Sequence, residues 1–387
     1  MRSELTENEL DAITGGGFDL ATGYPSLPTA AWMQASFERT EILYRSFLQE
    51  GLSGRHSISL AASERLKQAS LTLLKQFVVE SHRVVPVASA SYALERVFSI
   101  FPRESQFHLL DPEIDILRLL AAEKTAAKPL VHKSVADLIV ELEKEAIRID
   151  QSCNVVALSS PRNPTGETLT DDCLFALLDL SSRGRCTLVI DACFSFSQQF
   201  TRTLDLTRFS GWVVVWDTGK FLSVGQDKLG FIAASDDLTN EIANSVRLTH
   251  YDVSYRLKVL MAELLEGAAS FDYRAAVSRI SDDNASLMKV ELKNWFDIDH
   301  LTGFPFALLK LAPGNQQDEL STVYRALWDD ARVSFVSGSS FLARQSHNDL
   351  PFLRAALLRD PTYFREAVGS VKGFLLNRAG FAGGSNS

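Results

Sequence analysis

Three residues in the middle of the chain could carry chemistry, because each follows a short apolar run. These are Asn163, Asp191 and Lys220, and a fourth candidate, Lys228, comes eight residues after Lys220. A carboxylate at the end of a buried strand needs a partner, because burial otherwise favours its neutral form. A lysine in such a place readily becomes an uncharged, nucleophilic amine. Together the four residues supply an amide, a carboxylate, a reactive amine and a second cation.

The chemistry that uses this set is that of pyridoxal phosphate. A lysine forms an imine with this cofactor, and an aspartate paired with the ring nitrogen keeps the ring an electron sink. An amide donates to the ring hydroxyl, while cations, hydroxyl groups and the start of a helix hold the phosphate. Pro161 and Pro164 flank Asn163 and make a rigid turn, which would hold that amide still.

Over most of its length the sequence resembles the class I/II aminotransferases, the pyridoxal phosphate enzymes of fold type I. Five segments in the family's order carry the resemblance: Ser89-Ala90-Ser91, SSPRNPTGE, VIDACF, WDTGKFLSVGQDKLG and SGSSFLARQSHNDLPFLRAALLR. The resemblance implies that Lys220 is the Schiff-base residue and that Asp191 meets the ring nitrogen. It also implies that Asn163 contacts the ring oxygen.

The same resemblance assigns the remaining cofactor and substrate contacts. Residues Ser89, Ala90 and Ser91 match the family's phosphate cup, and Thr218 lies in the lysine segment beside the cofactor. Lys228 stands where the family usually has a phosphate-binding arginine. Arg354 matches the arginine that clamps the α-carboxylate of the substrate.

Three positions depart from the family's usual pattern. Asp217 stands three positions before the lysine, where a serine usually binds the phosphate. Phe194 replaces a tyrosine that often hydrogen-bonds the ring oxygen, and Ile114 replaces an aromatic residue that stacks on the ring. Asp-Thr-Gly-Lys together with Asp-x-x-Phe resembles a smaller offshoot, the arginine oxidases and hydroxylases and the cyclases of guanidino amino acids. Gly23 and Tyr24 would bind substrate, but the hydroxylases have histidine where Tyr24 stands, which argues against hydroxylation specifically.

Asp217 separates this chain most clearly from an ordinary aminotransferase. A carboxylate cannot donate to a phosphate, and two like charges in contact repel by ~4 kcal/mol at an effective dielectric constant of about 20. We therefore expect Asp217 to turn away from the phosphate and to face the substrate, where a guanidinium would suit it best. The alternative is that Asp217 pairs with a protein cation such as Arg247 and never meets the substrate.

Each of these residues also has a purely structural interpretation. Asp191 and the serines of the phosphate cup could cap helices, and Asn163 could serve only its turn. Arg354 is one of several arginines near the C-terminus, including Arg359, most of which we expect to be solvated. The apolar neighbours of Arg354 favour a buried guanidinium with a carboxylate partner.

Apolar runs that alternate with amphipathic helices must position these residues. Strands are predicted at 84–87, 107–110, 155–158, 187–190, 212–216 and 230–234. Helices are predicted over 135–146 and 171–182, between strands of this series. Such alternation predicts a mostly parallel sheet covered by helices, with the ligand at the carboxyl ends of the strands. The fold class is therefore α/β, and the resemblance implies the aspartate aminotransferase-like fold type I.

After about residue 270 the pattern changes to that of a small α+β domain. Long helices are predicted over 273–294 and 361–378, with apolar segments at 304–311 and 333–336 between them. The predicted division is a flexible arm, a large cofactor-binding domain and a small domain made of two segments: 1–17, 50–270, and 18–49 with 271–387.

Composition and charge restrict the partners and the location. The chain has a net charge of −9 and contains no basic block, which argues against nucleic acid or an anionic membrane as a partner. Its four cysteines form no CxxC pair, which argues against a zinc site and favours a reducing compartment. The N-terminal sequence has no signal-peptide core, and no apolar run reaches the ~18 residues that span a bilayer. We therefore expect a cytoplasmic protein.

The sequence predicts an enzyme that acts on the Cα amine of a free amino acid through a quinonoid. The first interpretation is oxidation, hydroxylation or cyclisation of L-arginine or a similar cationic amino acid, with O₂ as a second substrate if the reaction is oxidative. The alternative is transamination with a 2-oxo acid. The resemblance also implies a homodimer whose subunits share each active site. A regulator with an added DNA-binding domain has no room before residue 18, and a silent scaffold has no reason to keep Lys220 with Asp191.

Overall fold

The structure is a computed structural model, which describes residues 15–74, 76–144, 153–197, 203–225, 227–250, 252–313, 320–343 and 351–378. Most of the predicted arm over 1–17 lies outside these residues. The helices of the described residues, in chain order, are α1 Ala31–Gln49, α2 Leu52–Leu71, α3 Ala90–Ser99, α4 Asp115–Lys124, α5 Val135–Lys144, α6 Asp171–Ser182, α7 Asp236–Thr249, α8 Tyr255–Ser270, α9 Tyr273–Leu292, α10 Leu320–Asp329 and α11 Pro361–Asn377. None of these helices is long and apolar enough to cross a membrane.

The strands are short, and six of them were predicted from their apolar runs. They are β1 Phe18–Asp19, β2 Phe77–Val78, β3 Val84–Val87, β4 Gln106–Leu110, β5 Leu130–His132, β6 Asn154–Ser159, β7 Thr187–Asp191, β8 Leu204–Asp205, β9 Trp212–Asp217, β10 Gly230–Ala234, β11 Phe296–Asp299, β12 Phe306–Leu311, β13 Val333–Ser334, β14 Val336–Ser337 and β15 Leu353–Ala356. The six predicted strands are β3, β4, β6, β7, β9 and β10. The apolar segment predicted over 333–336 is divided between β13 and β14.

Seven strands form the central sheet, in the order β3-β10-β9-β7-β6-β4-β5. The neighbouring strands from β9 to β5 run parallel, while β10 runs antiparallel to both of its neighbours. β6 and β9 are buried at every position, because helices cover both faces of the sheet. The predicted fold class, α/β with a mostly parallel sheet flanked by helices, is confirmed.

A smaller unit is built on a four-stranded antiparallel sheet in the order β11-β12-β15-β14. It has its own apolar core, to which α9, α10 and α11 contribute, and Leu20 joins that core from the N-terminal segment. Met33 of α1 lies instead in the larger core, and α1 packs against α8. The packing therefore assigns α1 to the large unit, whereas the sequence placed residues 18–49 in the small one. The remaining domain bounds stay predictions.

Candidate active site

Three neighbouring strands end at the candidate site. The register of β6, β7 and β9 pairs Ser159 with Asp191, and Asp191 with Val215. Because these strands are parallel, their carboxyl ends meet at one edge of the sheet. The loops that follow β6 and β9 carry Asn163 and Lys220 to the same edge, where the sequence predicted them.

Asp191 is the last residue of β7 and is buried. Its Oδ1 accepts a hydrogen bond of 3.0 Å from the N–H of Cys193. Burial raises the pKa of Asp191, and the negative charge of Asp217 acts in the same direction, while the N–H of Cys193 and the ammonium of Lys220 oppose the shift. A carboxylate in this setting is stabilised by a cation, which a protonated ring nitrogen would supply.

Tyr24 lies between the two candidate lysines. The Nζ atoms of Lys220 and Lys228 are 3.8 Å and 3.9 Å from the centroid of its ring. Lys228 Nζ also donates a hydrogen bond to the hydroxyl oxygen of Tyr24. The phenol therefore contacts both ammonium groups and brings Lys220 and Lys228 close together.

The segment around Tyr24 is held by Arg359, a residue that the sequence analysis expected to be solvated. Arg359 is instead fully buried. Its guanidinium donates to the backbone oxygens of Thr22 at 2.6 Å and Tyr24 at 2.8 Å, and it forms an ion pair with Asp19 at 3.2 Å. Gly23 lies buried between the two clamped carbonyls. Arg359 thereby fixes the backbone that presents Tyr24 to the lysines.

The start of α3 does not present all of its backbone N–H groups to a ligand. Asp217, which is 2% exposed, accepts the N–H of Ala90 on Oδ2 at 3.0 Å and the N–H of Gly219 on Oδ1. Asp217 was expected to turn away from the phosphate and to face the substrate, but its carboxylate instead contacts the helix start that is predicted to hold the phosphate. The positive end of the helix dipole attracts the carboxylate, and the N–H of Ala90 satisfies part of its hydrogen-bonding capacity.

The two serines of the predicted phosphate cup differ in their contacts. Ser89 caps α3, since its Oγ accepts the N–H of Tyr92 at 3.2 Å, and Ser91 is exposed on the first turn. The hydroxyl of Thr218 accepts from the N–H of Leu229 at 2.9 Å and so closes the loop that carries both lysines.

The start of β10 lies against the start of α3. A Cβ added at Gly230 would lie 2.3 Å from the carbonyl carbon of Ser89 and 2.6 Å from the nitrogen of Ala90. Only glycine permits this approach. The contact makes a narrow cradle between the helix start and the strand that follows Lys228.

Asn163 and Arg354 meet on the other side of the site. Both are buried, and Arg354 Nη1 donates to Asn163 Oδ1 at 3.1 Å. Arg354 Nη2 donates to the carbonyl oxygen of Ala21 at 2.7 Å, and the guanidinium lies 4.1 Å from the centroid of the Phe306 ring. Because Oδ1 of Asn163 faces Arg354, its amide nitrogen is directed elsewhere and can donate to a ligand.

Phe194 belongs to an aromatic cluster beneath this pair. Its ring packs edge-on against Phe304 and Phe306, with centroids 5.7 Å and 5.2 Å apart. Ile114 is half-buried at the residue before α4 and packs against the large core. Both side chains are apolar, so they can contact a ring but cannot hydrogen-bond it.

The sequence analysis missed Glu113, which is buried directly behind the turn of Asn163. Its carboxylate accepts the N–H groups of Ser159 and Ile114, both at 2.8 Å, and the hydroxyl of Ser159. Burial raises the pKa of Glu113 to about 7, against the opposing effects of Ser159, Ile114 and Arg162. The position in Asp-Pro-Glu-Ile gave no signal, because an acid beside a proline usually marks only a turn.

A second group of titratable residues lies toward the β5 edge of the sheet. Ligand atoms of His108, His132 and Glu141 all lie within 4.8 Å of one another. His108 Nδ1 and His132 Nε2 are 3.1 Å apart and hydrogen-bonded, and His108 Nε2 faces Asn154 Oδ1 at 3.5 Å. These contacts satisfy the buried rings within the core, so the group has a structural explanation without an ion.

The residues present fit pyridoxal phosphate by the chemistry of their donors. Asp191 offers a buried carboxylate to the ring nitrogen, Asn163 an amide to the ring oxygen, and Lys220 an amine. Lys228 and the cradle at the start of α3 would hold the phosphate. The fit is weakest at that cradle, where Asp217 already occupies one backbone N–H.

Comparison with known proteins identifies the family. The sequence model "Aminotransferase class I and II" matches residues 130–369, which include Asp191 at the end of β7 and Lys220 in the loop after β9. The chain belongs to the class I and II aminotransferase family. Members of this family are pyridoxal phosphate-dependent enzymes, and the predicted family, enzyme class and cofactor are confirmed.

Two solved structures share the fold of this chain. MppP soaked with the product 2-ketoarginine has a TM-score of 0.75 at 20% identity, covering 92% of this chain and 99% of that chain. N-Succinyldiaminopimelate aminotransferase from Mycobacterium tuberculosis has a TM-score of 0.77 at 16% identity, covering 96% and 97%.

A curated aminotransferase is similar over part of the chain. Histidinol-phosphate aminotransferase 1 from Pasteurella multocida (strain Pm70) is 23% identical over 181 residues. The match covers 46% of this chain and about half, 49%, of that protein. Its activity is therefore a property of that relative.

Proposed function

We propose that this aminotransferase-family enzyme acts at Cα of a free amino acid, with Lys220 as the residue that attaches the cofactor. The proposal rests on one observation. Lys220, the buried carboxylate of Asp191 and the amide of Asn163 lie at one edge of the sheet, and the amide is hydrogen-bonded to Arg354. When bound, pyridoxal phosphate supplies the electron sink for the bond that breaks at Cα. The protein supplies attachment, orientation and proton transfer.

Each of the three groups has a separate task in this proposal. Lys220 Nζ takes up the proton that leaves Cα, because its amine is held in the crevice beside Tyr24. Asp191 holds a proton on the ring nitrogen, which its burial next to a cation favours. Arg354 binds the substrate α-carboxylate, since a rigid, buried guanidinium recognises a carboxylate bidentately.

We propose a cationic amino acid, with L-arginine first, as the substrate. The basis in this chain is its sequence: Asp217-Thr218-Gly219-Lys220, together with the Asp191-x-x-Phe194 spacing, resembles the arginine oxidases and hydroxylases and the cyclases of guanidino amino acids. The likeness to MppP, whose structure was solved after soaking with the product 2-ketoarginine, supports the same class of ligand. The enzyme should then use arginine in clear preference to a neutral amino acid of similar length.

Oxidation is the first reaction we propose for this substrate. In it the amino acid, O₂ and water give the 2-oxo acid, ammonia and hydrogen peroxide, so that the two electrons lost at Cα reduce O₂. Tyr24 in place of histidine favours oxidation or cyclisation over hydroxylation. Transamination is the second candidate, and the match to the aminotransferase family and the curated histidinol-phosphate aminotransferase relative favour it.

One experiment separates these reactions. The purified protein, loaded with cofactor, is incubated with each amino acid, with and without a 2-oxo acid and with and without O₂, and the product masses are determined. Oxidation predicts 2-ketoarginine and peroxide that require O₂ and no 2-oxo acid. Product that requires a 2-oxo acid would establish transamination instead. A preference for acidic or small neutral amino acids would rule out the arginine proposal.

We also propose that the enzyme is a homodimer, as in the family. Large apolar side chains on α1 and α2 are exposed in the single chain, including Ile42, Leu52 and Leu60. Exposed apolar patches on helices commonly mark an interface. Sedimentation equilibrium should give twice the 42.8 kDa chain mass, whereas a single-chain mass would contradict the proposal.

A further inference from the structure

Glu113 lies behind the candidate site and accepts three hydrogen bonds, two from Ser159 at the end of β6 and one from Ile114. One oxygen accepts the N–H of Ser159 at 2.8 Å, and the other accepts the N–H of Ile114 at 2.8 Å and the hydroxyl of Ser159. The side chain is buried, so these bonds are shielded from water. A carboxylate thus ties the end of β6 to the residue before α4.

The hydroxyl of Ser159 links the carboxylate of Glu113 to Asn163. Its Oγ accepts the backbone N–H of Asn163 at 3.0 Å while donating its own proton to Glu113. The chain of donors therefore runs in one direction, from Asn163 through Ser159 to the carboxylate. Hydrogen bonds in such a chain strengthen one another, and the charged acceptor at its end makes them strong.

We infer that Glu113 is a positioning residue, which as a carboxylate holds Asn163 in place through Ser159. The inference rests on the proposed role of Asn163 as the donor to the cofactor ring oxygen. Arg354 fixes the amide of Asn163 from the side-chain end, and Glu113 fixes the same residue from the backbone end. Without the carboxylate, the Ser159 hydroxyl loses its acceptor and the turn is less well held.

The surroundings of Glu113 make this device sensitive to pH. The groups that act on the carboxylate are Ser159, the N–H of Ile114 and the cation Arg162, and burial outweighs them in raising its pKa to about 7. Above this pH Glu113 is mainly an ionised carboxylate, and below it Glu113 is mainly protonated. Asn163 should therefore be held in place mainly above this pH, where Glu113 is ionised.

The test is the pH midpoint of the visible absorbance of the cofactor-loaded protein. A donor to the ring oxygen favours the deprotonated form of the bound cofactor, so its loss raises the midpoint. We expect Asn163→Ala to raise the midpoint by about one pH unit, the effect of one hydrogen bond. Glu113→Gln and Ser159→Ala should raise it by less, and Glu113→Asp should partly restore it. Glu167→Gln is the matched control, because Glu167 lies on the same turn but is exposed and pairs with Arg162.

The double variant tests whether Glu113 acts through Asn163. Adding Glu113→Gln to Asn163→Ala should shift the midpoint no further. A fall of the midpoint in Glu113→Gln would overturn the inference, because removing a negative charge alone disfavours a nearby protonated form. An unchanged midpoint in Glu113→Gln and Ser159→Ala, with a shift in Asn163→Ala, would overturn it and leave the proposed site intact. No shift in Asn163→Ala would overturn both.

Discussion

At the two ends of the candidate site, a buried carboxylate of the protein faces proposed ligand groups of opposite charge. At the ring end, formed by Asn163, Asp191 and Arg354, the buried carboxylate of Asp191 can pair with a cation of the ligand. At the proposed phosphate end, formed by the start of α3, Asp217 and Lys228, a carboxylate occupies a backbone N–H of the helix start that we expect to face the phosphate dianion. The groups for chemistry thus follow the family's pattern, whereas the anchoring groups depart from it. The residues proposed to anchor the phosphate can therefore differ from the family's pattern while the residues of the reactive centre follow it.

The largest effect is expected when the charge at the ring end is removed. Asp191→Ala should lower kcat by about 10²–10³-fold, the cost of losing one preorganised electrostatic group of ~3–4 kcal/mol. Cofactor should still attach to the protein, because the lysine is unchanged. Steady-state kinetics together with the absorbance of the bound cofactor measure both quantities. Near-normal turnover would remove the electron-sink role of Asp191.

A smaller effect is expected at the carboxylate-binding arginine. Arg354→Lys should raise KM for the amino acid by about tenfold or more, because a lysine cannot make the bidentate contact. Arg359→Lys is the control: it is equally buried but binds backbone oxygens around Tyr24. We expect that variant to lower stability instead, measured as a lower Tm. Equal KM values for Arg354→Lys and the wild type would show that the carboxylate binds elsewhere.

At the phosphate end, removing the charge should strengthen cofactor binding. Asp217→Asn keeps the size of the side chain and removes the repulsion between two anions, which should tighten the Kd for pyridoxal phosphate by about tenfold. Fluorescence titration of cofactor-free protein measures this constant. Weaker binding in the variant would mean that Asp217 supports the cofactor, and the contrast between the two ends would be lost.

The smallest effect is expected at Tyr24, between the lysines. Tyr24→Phe keeps the ring contacts with Lys220 and Lys228 and removes only the hydroxyl that Lys228 binds. One hydrogen bond is worth about 1 kcal/mol, so cofactor affinity should fall about fivefold or less. Tyr24→Ala removes the ring as well and should have the larger effect. Identical affinities for all three proteins would mean that the phenol does not organise the cations.

The sequence could predict the ring end because its geometry follows from simple topology. Continuous apolar runs indicate parallel strands, parallel strands end at one edge, and Asn163, Asp191 and Lys220 follow three such strands. β5 and β15 were missed because three or four residues carry no clear periodicity, and Arg354 lies on β15.

The phosphate end could not be predicted in the same way. The orientation of Asp217 depends on a hydrogen bond to Ala90, a residue 127 positions away in the chain. The charge of the phosphate repels Asp217, but the N–H groups of the helix start attract it, and the sequence does not show that they lie nearby. Arg359 shows the same limit, because its partners are mainly backbone oxygens, and no sequence pattern marks a backbone acceptor.

The central claim is that Lys220 attaches the cofactor, and borohydride reduction tests it most directly. Reduction of the cofactor-loaded protein, followed by digestion and mass spectrometry, should leave the cofactor covalently attached to the peptide that contains Lys220. Lys228 is the natural internal control, because its Nζ lies at nearly the same distance from the Tyr24 ring. Label on Lys220 alone is the result we predict. Label on Lys228, or on any other lysine, would contradict the assignment of the site.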